Sequence, residues 1–150
     1  MDAASLIESN DNDSGGLNDI VGFHIRLAHG AVYRHFVETF SHLELTQKQV
    51  SVLWMVNGRA GLSQIELGQH LRMDRATTMN IVNRLQEREY LRRERSETDG
   101  RKQALFLTLA GIQALAAAKV AIAEHEKWLK ARFSPEEVDK LVEMLTRIHD

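Results

Sequence analysis

Hydrogen-bonding and small side chains recur on one face of a helix predicted to start near residue 75. That face carries Arg75, Ala76, Thr77, Asn80, Asn83 and Arg84, with Met79 on its flank. The opposite face repeats at i, i+3, i+4 and i+7 and is predicted to be buried: Thr78, Ile81, Val82 and Leu85. Asparagine can pair with adenine, and arginine with guanine or a phosphate. We therefore predict a helix that reads DNA bases, with Thr77 and Asn80 as the main candidates.

A shorter helix is predicted just before it, starting at Ser63. Ser63 and Glu66 have the spacing of a capping box, in which each side chain bonds the amide of the other residue. The apolar residues predicted to face the core are Ile65, Leu67 and Leu71. Asp74 then provides an N-cap for the second helix. Ser63 and Gln64 stand at a helix N-terminus, which favours anions, so we predict that they hold a phosphate.

A basic hairpin follows the two helices. The hydrophobic period changes after residue 88 and predicts strands at Leu91 to Arg95 and Ala104 to Leu109. Asp99-Gly100 between them is a strong turn signal. Helix, turn, helix and hairpin together indicate a mainly α fold with a small β-hairpin wing, that is, a winged helix-turn-helix.

The distribution of charge supports a DNA-binding surface although the chain as a whole is acidic. The formal net charge is -2 over 150 residues. From Arg72 to Lys102, nine Arg or Lys residues stand against six Asp or Glu residues. Positive charge is thus concentrated where the two helices and the hairpin require it.

The ordered set of motifs resembles the MarR family of bacterial transcriptional regulators, from about Asp19 to the C-terminus. The residues that carry the resemblance are Glu66-Leu67-Gly68, Arg84-Leu85, Leu91-Arg92-Arg93, Asp99-Gly100-Arg101, Leu107-Thr108 and Gly111. Two positions depart from the usual pattern. Glu89 stands where a glycine is frequent, which predicts a less favourable backbone in the turn before the wing. Met79 replaces what is often a small polar residue.

The resemblance implies a homodimer that binds a pseudo-palindromic operator on double-stranded DNA, most often as a repressor. Arg101 at the wing tip would enter the minor groove beside Lys102, and Asp99 would orient Arg101 or another arginine of the hairpin. It also implies a domain organisation: a helical dimerisation region at 19-45 with 109-150, and a winged helix-turn-helix DNA-binding domain at 46-108. Residues 1-18 contain four acidic residues and no basic ones, and we expect a flexible acidic tail there.

The helix predicted after Asp19 is apolar around much of its circumference, which indicates burial on several faces, including by a second subunit. Two histidines and two alanines share one stripe at i, i+4, i+7 and i+11: His24, Ala28, Ala31 and His35. With Arg26 they are candidates for an effector pocket. The family resemblance, which implies a pocket between this helix, the region of Trp54 and the helix after the wing, adds Trp54 to the candidates. The resemblance implies phenolic acids, their thioesters or unrelated drugs as ligands. The histidines favour an anionic aromatic molecule, held by charge-assisted bonds and ring contacts.

Other interpretations remain open for these residues. The histidines could instead be satisfied at the dimer interface. A zinc site built from His24, His35, His42 or Glu44 lacks the tight spacing of a helix-borne zinc motif. A metal-responsive regulator, and a winged-helix interaction module without effector binding, are the alternatives to a ligand-responsive repressor.

Further helix starts are marked by caps. Thr46 with Gln49 forms a predicted capping box, Thr108 precedes an alanine-rich helix, and Ser134-Pro135 precedes the last helix.

Composition excludes several classes. The chain has no cysteine, so a cysteine-based peroxide sensor is excluded. No nucleophile elbow, phosphate loop or HExxH motif is present, so we predict no enzymatic activity and no cofactor. No segment resembles a signal peptide or membrane span, so we expect a cytoplasmic protein.

Overall fold

The computed structural model describes residues 14-95, 97-98, 100 and 102-150. Within them the α-helices are α1 (Val21–Phe40), α2 (Gln47–Gly58), α3 (Gln64–Leu71), α4 (Arg75–Glu87), α5 (Leu109–Lys130) and α6 (Pro135–His149). The strands are β1 (Leu62–Ser63), β2 (Leu91–Arg95) and β3 (Gln103–Leu107), and short 3-10 helices cover Leu17–Asp19 and Ser41–Leu43. The mainly α fold with a small wing is confirmed. None of the described helices is long and apolar enough to cross a membrane.

The described residues up to Glu38 form one compact unit, and Thr39–Asp150 form the other. The first unit holds the short helix Leu17–Asp19 and most of α1. Apolar side chains of α1 are exposed on several sides, among them Val21, Ile25, Leu27, Tyr33 and Val37. The predicted helix is present, and its burial by a second subunit stays a prediction.

The second unit has an aliphatic core shared by α2, α3, α4, α5 and the sheet. Its fully buried members include Val52, Leu53, Leu67, Val82, Leu85 and Leu105. The sheet is antiparallel with strand order β1-β3-β2, and Leu62 pairs with Leu105 while Leu91 pairs with Leu107. Strand β1 was not predicted, because two residues are too few to show a period of two.

Strand β3 begins one residue before the predicted start and ends two residues before the predicted end. The reason lies in Thr108, whose hydroxyl oxygen accepts from the amide of Gly111 at 3.0 Å and thereby starts α5 at Leu109. The Thr108 amide donates to the carbonyl of Tyr90 at 3.1 Å, and its hydroxyl donates to the carbonyl of Glu89 at 2.5 Å. One threonine therefore joins the turn before β2, the end of β3 and the start of α5.

Two of the predicted capping boxes are complete: Thr46 and Gln49 form one at α2, and Ser134 and Glu137 form one at α6. At α3 only half of the predicted box is present. The Ser63 hydroxyl accepts from the Glu66 amide at 3.1 Å, but the Glu66 carboxylate does not bond the Ser63 amide. The turn before the wing has the predicted unfavourable backbone, since Glu89 has a φ of 62°.

One predicted core position is wrong. Ile65 is 56% exposed, whereas Leu67 is fully buried. Residues two apart on a helix are about 200° apart around its axis. The two side chains therefore cannot share the buried face of α3.

Candidate nucleic-acid interface

A concave surface of about 730 Å³ lies between α3, α4 and the wing strands. Its walls include predicted DNA-binding residues from β1, α3, α4 and the segment just before β3: Ser63, Gln64, Arg75 and Lys102. The structure adds residues that were not proposed as site residues, namely Arg72, Met79, Asn83, Arg93 and Gln103. This surface is called the wing cleft below. Four of the residues named are Arg or Lys, so the cleft is suited to a polyanion.

Helix α4 presents two parallel columns of side chains with a spacing of four residues. One column lines the wing cleft and consists of Arg75, Met79 and Asn83. The other lies outside the cleft walls, is exposed, and consists of Ala76, Asn80 and Arg84. The two columns are adjacent, and the buried face on the remaining side of the helix carries Thr78, Val82 and Leu85. Ile81 is half-buried, so the predicted assignment of faces is correct. The exposed column and the cleft column are both accessible to a bound duplex.

The N-terminus of α4 is held by Asp74. Its carboxylate accepts from the amide of Thr77 at 2.7 Å. The pKa of the Asp74 carboxyl lies below its ordinary value, chiefly because the Thr77 amide and then the Thr77 hydroxyl donate to it. Thr77 is thus half-buried and engaged in the cap, which leaves Asn80 as the more accessible of the two main base-contact candidates.

Arg72 occupies the turn between α3 and α4 with a φ of 54°. Its guanidinium donates to a carboxylate oxygen of Asp150 at 2.7 Å and also to the carbonyl of His149. This contact lowers the pKa of the Asp150 carboxyl. The end of α6 therefore meets the turn of the helix-turn-helix.

Ser63 and Gln64 are less open than the sequence suggested. Ser63 is 5% exposed and its hydroxyl oxygen is used by the cap of α3. The side-chain oxygen of Gln64 accepts from the Arg93 guanidinium at 3.1 Å. The same guanidinium nitrogen donates to the side-chain oxygen of Asn83 at 2.6 Å.

Arg93 is one of the wing-cleft residues that were not predicted from the sequence. A signal existed, because consecutive strand residues face opposite sides of a sheet, so only one of Arg92 and Arg93 can face the helices. Arg92 lies over the ring of Phe106, 4.7 Å from its centroid, and pairs with Glu94. Arg93 is the half-buried member of the pair.

Two predicted wing residues, Asp99 and Arg101, lie outside the described residues. Lys102, beside them, is exposed and belongs to the wall of the wing cleft.

The candidate effector residues fall into both units. In the first unit His24, Arg26 and Ala28 are exposed, and Ala31 and His35 are half-buried. The His24 ring nitrogen Nε2 lies 2.7 Å from the carbonyl of Asn18, to which it donates. The Arg26 guanidinium lies 5.4 Å from the centroid of the Phe23 ring.

Trp54, in the second unit, is 45% exposed. The Lys119 ammonium of α5 lies 4.7 Å from the centroid of its ring, an arrangement typical of a cation–π contact. Lys119 was not among the predicted residues, and its place on α5 gave no signal in the sequence. Across the described part of the chain, no group of three or more His, Asp or Glu side chains has a metal-binding arrangement.

Comparison with known proteins identifies similar chains. Residues 43–102 match the MarR family. A protein of Thauera aromatica, named for transcriptional regulation of the hcr operon, is 32% identical over 136 residues, which cover 90% of this chain and 82% of that protein.

Among solved structures, the transcriptional repressor CouR bound to a 23-mer DNA duplex superposes with a TM-score of 0.86 at 30% identity, covering 91% of this chain and 96% of CouR. The PcaV transcriptional regulator from Streptomyces coelicolor, in complex with its natural ligand, gives 0.80 at 27% identity, covering 89% and 94%.

Proposed function

This chain belongs to the MarR family of transcriptional regulators, and from that premise we propose that it is a homodimeric repressor of a pseudo-palindromic operator, released by a small anionic aromatic effector. Its winged helix would read the operator, with the exposed column of α4 in the major groove. The observation that carries the proposal is the basic wing cleft beside that column. Ser63, Gln64, Arg75, Ala76, Thr77, Asn80, Arg84 and the wing residues Asp99, Arg101 and Lys102 remain the proposed DNA contacts.

Two apolar surfaces support a homodimer. Helix α6 has no buried residue, and its large apolar side chains Val142, Met144, Leu145 and Ile148 are exposed. Helix α1 exposes apolar side chains on several sides. Exposed apolar surface of this extent indicates association. We propose residues 19-45 with 109-150 as the dimerisation region and 46-108 as the DNA-binding domain.

A two-fold dimer places its two recognition helices one helical turn of DNA apart, about 34 Å. The operator should therefore contain two inverted half-sites, each read by one α4.

The effector is proposed from polar side chains of α1. His24, Arg26 and His35 would bind a carboxylate or phenolate, and Ala28 and Ala31 would give the ring access. Trp54 of the second unit is a separate candidate for an aromatic contact. PcaV, a relative in fold, has a natural ligand, which supports a ligand for this chain as well. In one conformation of the dimer the spacing of the two α4 helices would not match the operator. An effector that binds this conformation more tightly lowers the affinity for DNA, by about 5- to 150-fold for ordinary coupling energies.

Fluorescence anisotropy tests the proposal. The purified protein is titrated onto labelled DNA from upstream of its own gene, with random DNA as control, and then with a panel of aromatic acids and their thioesters. We expect specific binding that one compound class reverses. Equal, weak binding to both DNAs would contradict the operator, and specific binding that no compound disturbs would contradict the effector.

A further inference from the structure

The wing cleft contains an arginine whose hydrogen bonds go to two side-chain amides. Nη2 of Arg93 donates to Oε1 of Gln64 at 3.1 Å and to Oδ1 of Asn83 at 2.6 Å. Gln64 begins α3, Asn83 lies in the third turn of α4, and Arg93 is in β2. One guanidinium therefore connects both helices of the helix-turn-helix, α3 and α4, to the wing.

The chemistry of the guanidinium fixes the orientation of both amides. Arginine has five N–H donors and no acceptor. Gln64 and Asn83 must therefore turn their oxygens towards Arg93, which leaves their NH2 groups on the other side. A carboxamide that is free to rotate can offer a donor and an acceptor, as pairing with adenine requires. An amide held by Arg93 has its oxygen turned towards the guanidinium, so the group that it presents on the other side is the NH2 donor.

We propose that Arg93 is a positioning residue that holds Gln64 and Asn83 as hydrogen-bond donors for acceptor-only groups of DNA. This inference rests on the proposed DNA-binding function. Such groups are phosphate oxygens and the N7 and O6 atoms of guanine. All three residues line the wing cleft, so the two NH2 groups are next to the space that a duplex would occupy.

A second observation shows that Arg93 also carries a cost in stability. Its Nε is buried and has no hydrogen-bond partner among the described residues. A buried donor without an acceptor costs stability, and native proteins keep such groups where another role requires them. Replacing Arg93 with an apolar side chain of similar length should therefore leave the fold intact.

The first test compares Arg93→Met with Arg92→Met, which removes the same charge from the opposite face of the same strand. We expect Arg93→Met to lower affinity for the DNA bound by the wild type by about tenfold, the effect of one to two hydrogen bonds. Its melting temperature should stay within about 3 °C of the wild type. Arg92→Met should keep near-wild-type affinity. Wild-type affinity in Arg93→Met would overturn the inference, whereas a wild type that binds no duplex would instead contradict the proposed function.

The salt dependence separates positioning from direct contact. Neutral amides release no counterions, so the slope of log K against log salt should be the same in the wild type and in Arg93→Met. A direct phosphate contact by Arg93 would reduce that slope by about 0.9. A reduced slope would overturn the positioning role.

A third test introduces Arg93→Met into a protein that already lacks both amides, so that it does not depend on the stability of the single variant. Because Arg93 acts through the two amides, adding Arg93→Met to Gln64→Ala/Asn83→Ala should cause no further loss of affinity. An equal loss in both backgrounds would overturn the inference.

Modified DNA identifies the acceptor. Methylphosphonate linkages remove a phosphate charge and 7-deazaguanine removes N7. One of these changes should weaken the wild type and leave Asn83→Ala or Gln64→Ala unaffected. If the effects of the DNA modification and of the amide substitution on affinity are additive at every modified position, neither amide contacts a phosphate or guanine N7.

Discussion

Gly111, in the first turn of α5, packs directly against the carbonyl group of Tyr90, and a β-carbon built on Gly111 would overlap that oxygen. The obstacle is backbone, which cannot rotate away as a flexible side chain would. The position therefore requires glycine for close approach, at the junction between the wing and the long helix.

Gly111→Ala should destabilise the protein by about 1–3 kcal/mol, the usual range for overpacking. Urea denaturation measures the change. Gly58→Ala is the matched control, because no atom lies within 4 Å of a β-carbon at Gly58, in the last turn of α2. That variant should be neutral or more stable by up to about 1 kcal/mol. Equal effects at the two glycines would contradict the packing argument.

Glu89→Gly should stabilise the chain. Glu89 has a φ of 62°, which costs a residue with a β-carbon about 1–2 kcal/mol. Part of the gain is offset because glycine also gains freedom in the unfolded chain. We expect a net increase of up to about 1 kcal/mol in the free energy of unfolding.

Glu87→Gly is the control for Glu89→Gly, because it makes the same substitution two residues earlier in the chain. Glu87→Gly, at the end of α4, should lower stability, because glycine is unfavourable in a helix. A loss of stability in both variants would show that the backbone at residue 89 is not strained.

The cap at Asp74 should make thermal stability depend on acid pH. Its folded pKa lies below the ordinary value because Thr77 donates to the carboxylate. The carboxylate therefore stabilises the fold above the unfolded-state pKa of about 3.9, and this contribution is lost as the pH falls through the lower folded pKa. Asp74→Asn, which keeps a capping oxygen without a titratable group, should show a smaller drop in melting temperature below about pH 4 than the wild type. Identical profiles would contradict the assignment.

Asn80 and Lys102 should affect DNA binding in different ways. Asn80→Ala removes a candidate base contact and should cost about 1–3 kcal/mol for the preferred operator while relaxing the preference at one base pair. Lys102→Ala removes a candidate phosphate contact, so affinity should fall on all sequences and the salt slope by about 0.9. Competition binding on single-base operator variants distinguishes them. A uniform loss for Asn80→Ala would assign that residue to the backbone instead.

The effector proposal makes its own prediction. His24→Ala and His35→Ala should weaken the response to the effector and leave DNA affinity in place, because both lie in α1 and outside the winged helix. Titration of the protein–DNA complex with effector measures the response. Unchanged effector affinity in both variants would remove these histidines from the site.

The sequence was sufficient for the elements whose signals are local. Capping residues such as Thr46, Asp74 and Ser134 predict helix starts because the bond joins residues two or three apart. The buried face of α4 followed from periodicity for the same reason.

What the sequence did not predict depends on contacts between distant segments. Strand β1 exists because Leu62 and Ser63 pair with residues of β3 more than forty positions later. The bond from Arg93 to Gln64 spans 29 residues, and only the folded sheet shows which of two adjacent arginines turns towards the helices. Ile65 was predicted to face the core because it is apolar, although helix geometry places it away from the buried Leu67.

The hydrogen bonds of Thr108 with Glu89, Tyr90 and Gly111 join the wing to the start of α5, so that α5 acts as a lever on the wing. Helix α5 has 22 residues and is about 33 Å long, and its first turn is fastened to both wing strands through Thr108 and the Tyr90 carbonyl. Since this joint leaves little freedom for a hinge, a shift of about 3 Å at the far end of α5 corresponds to a tilt of about 5° at the wing, given that length. Small displacements at one end of the helix are thereby converted into a change of angle at the other.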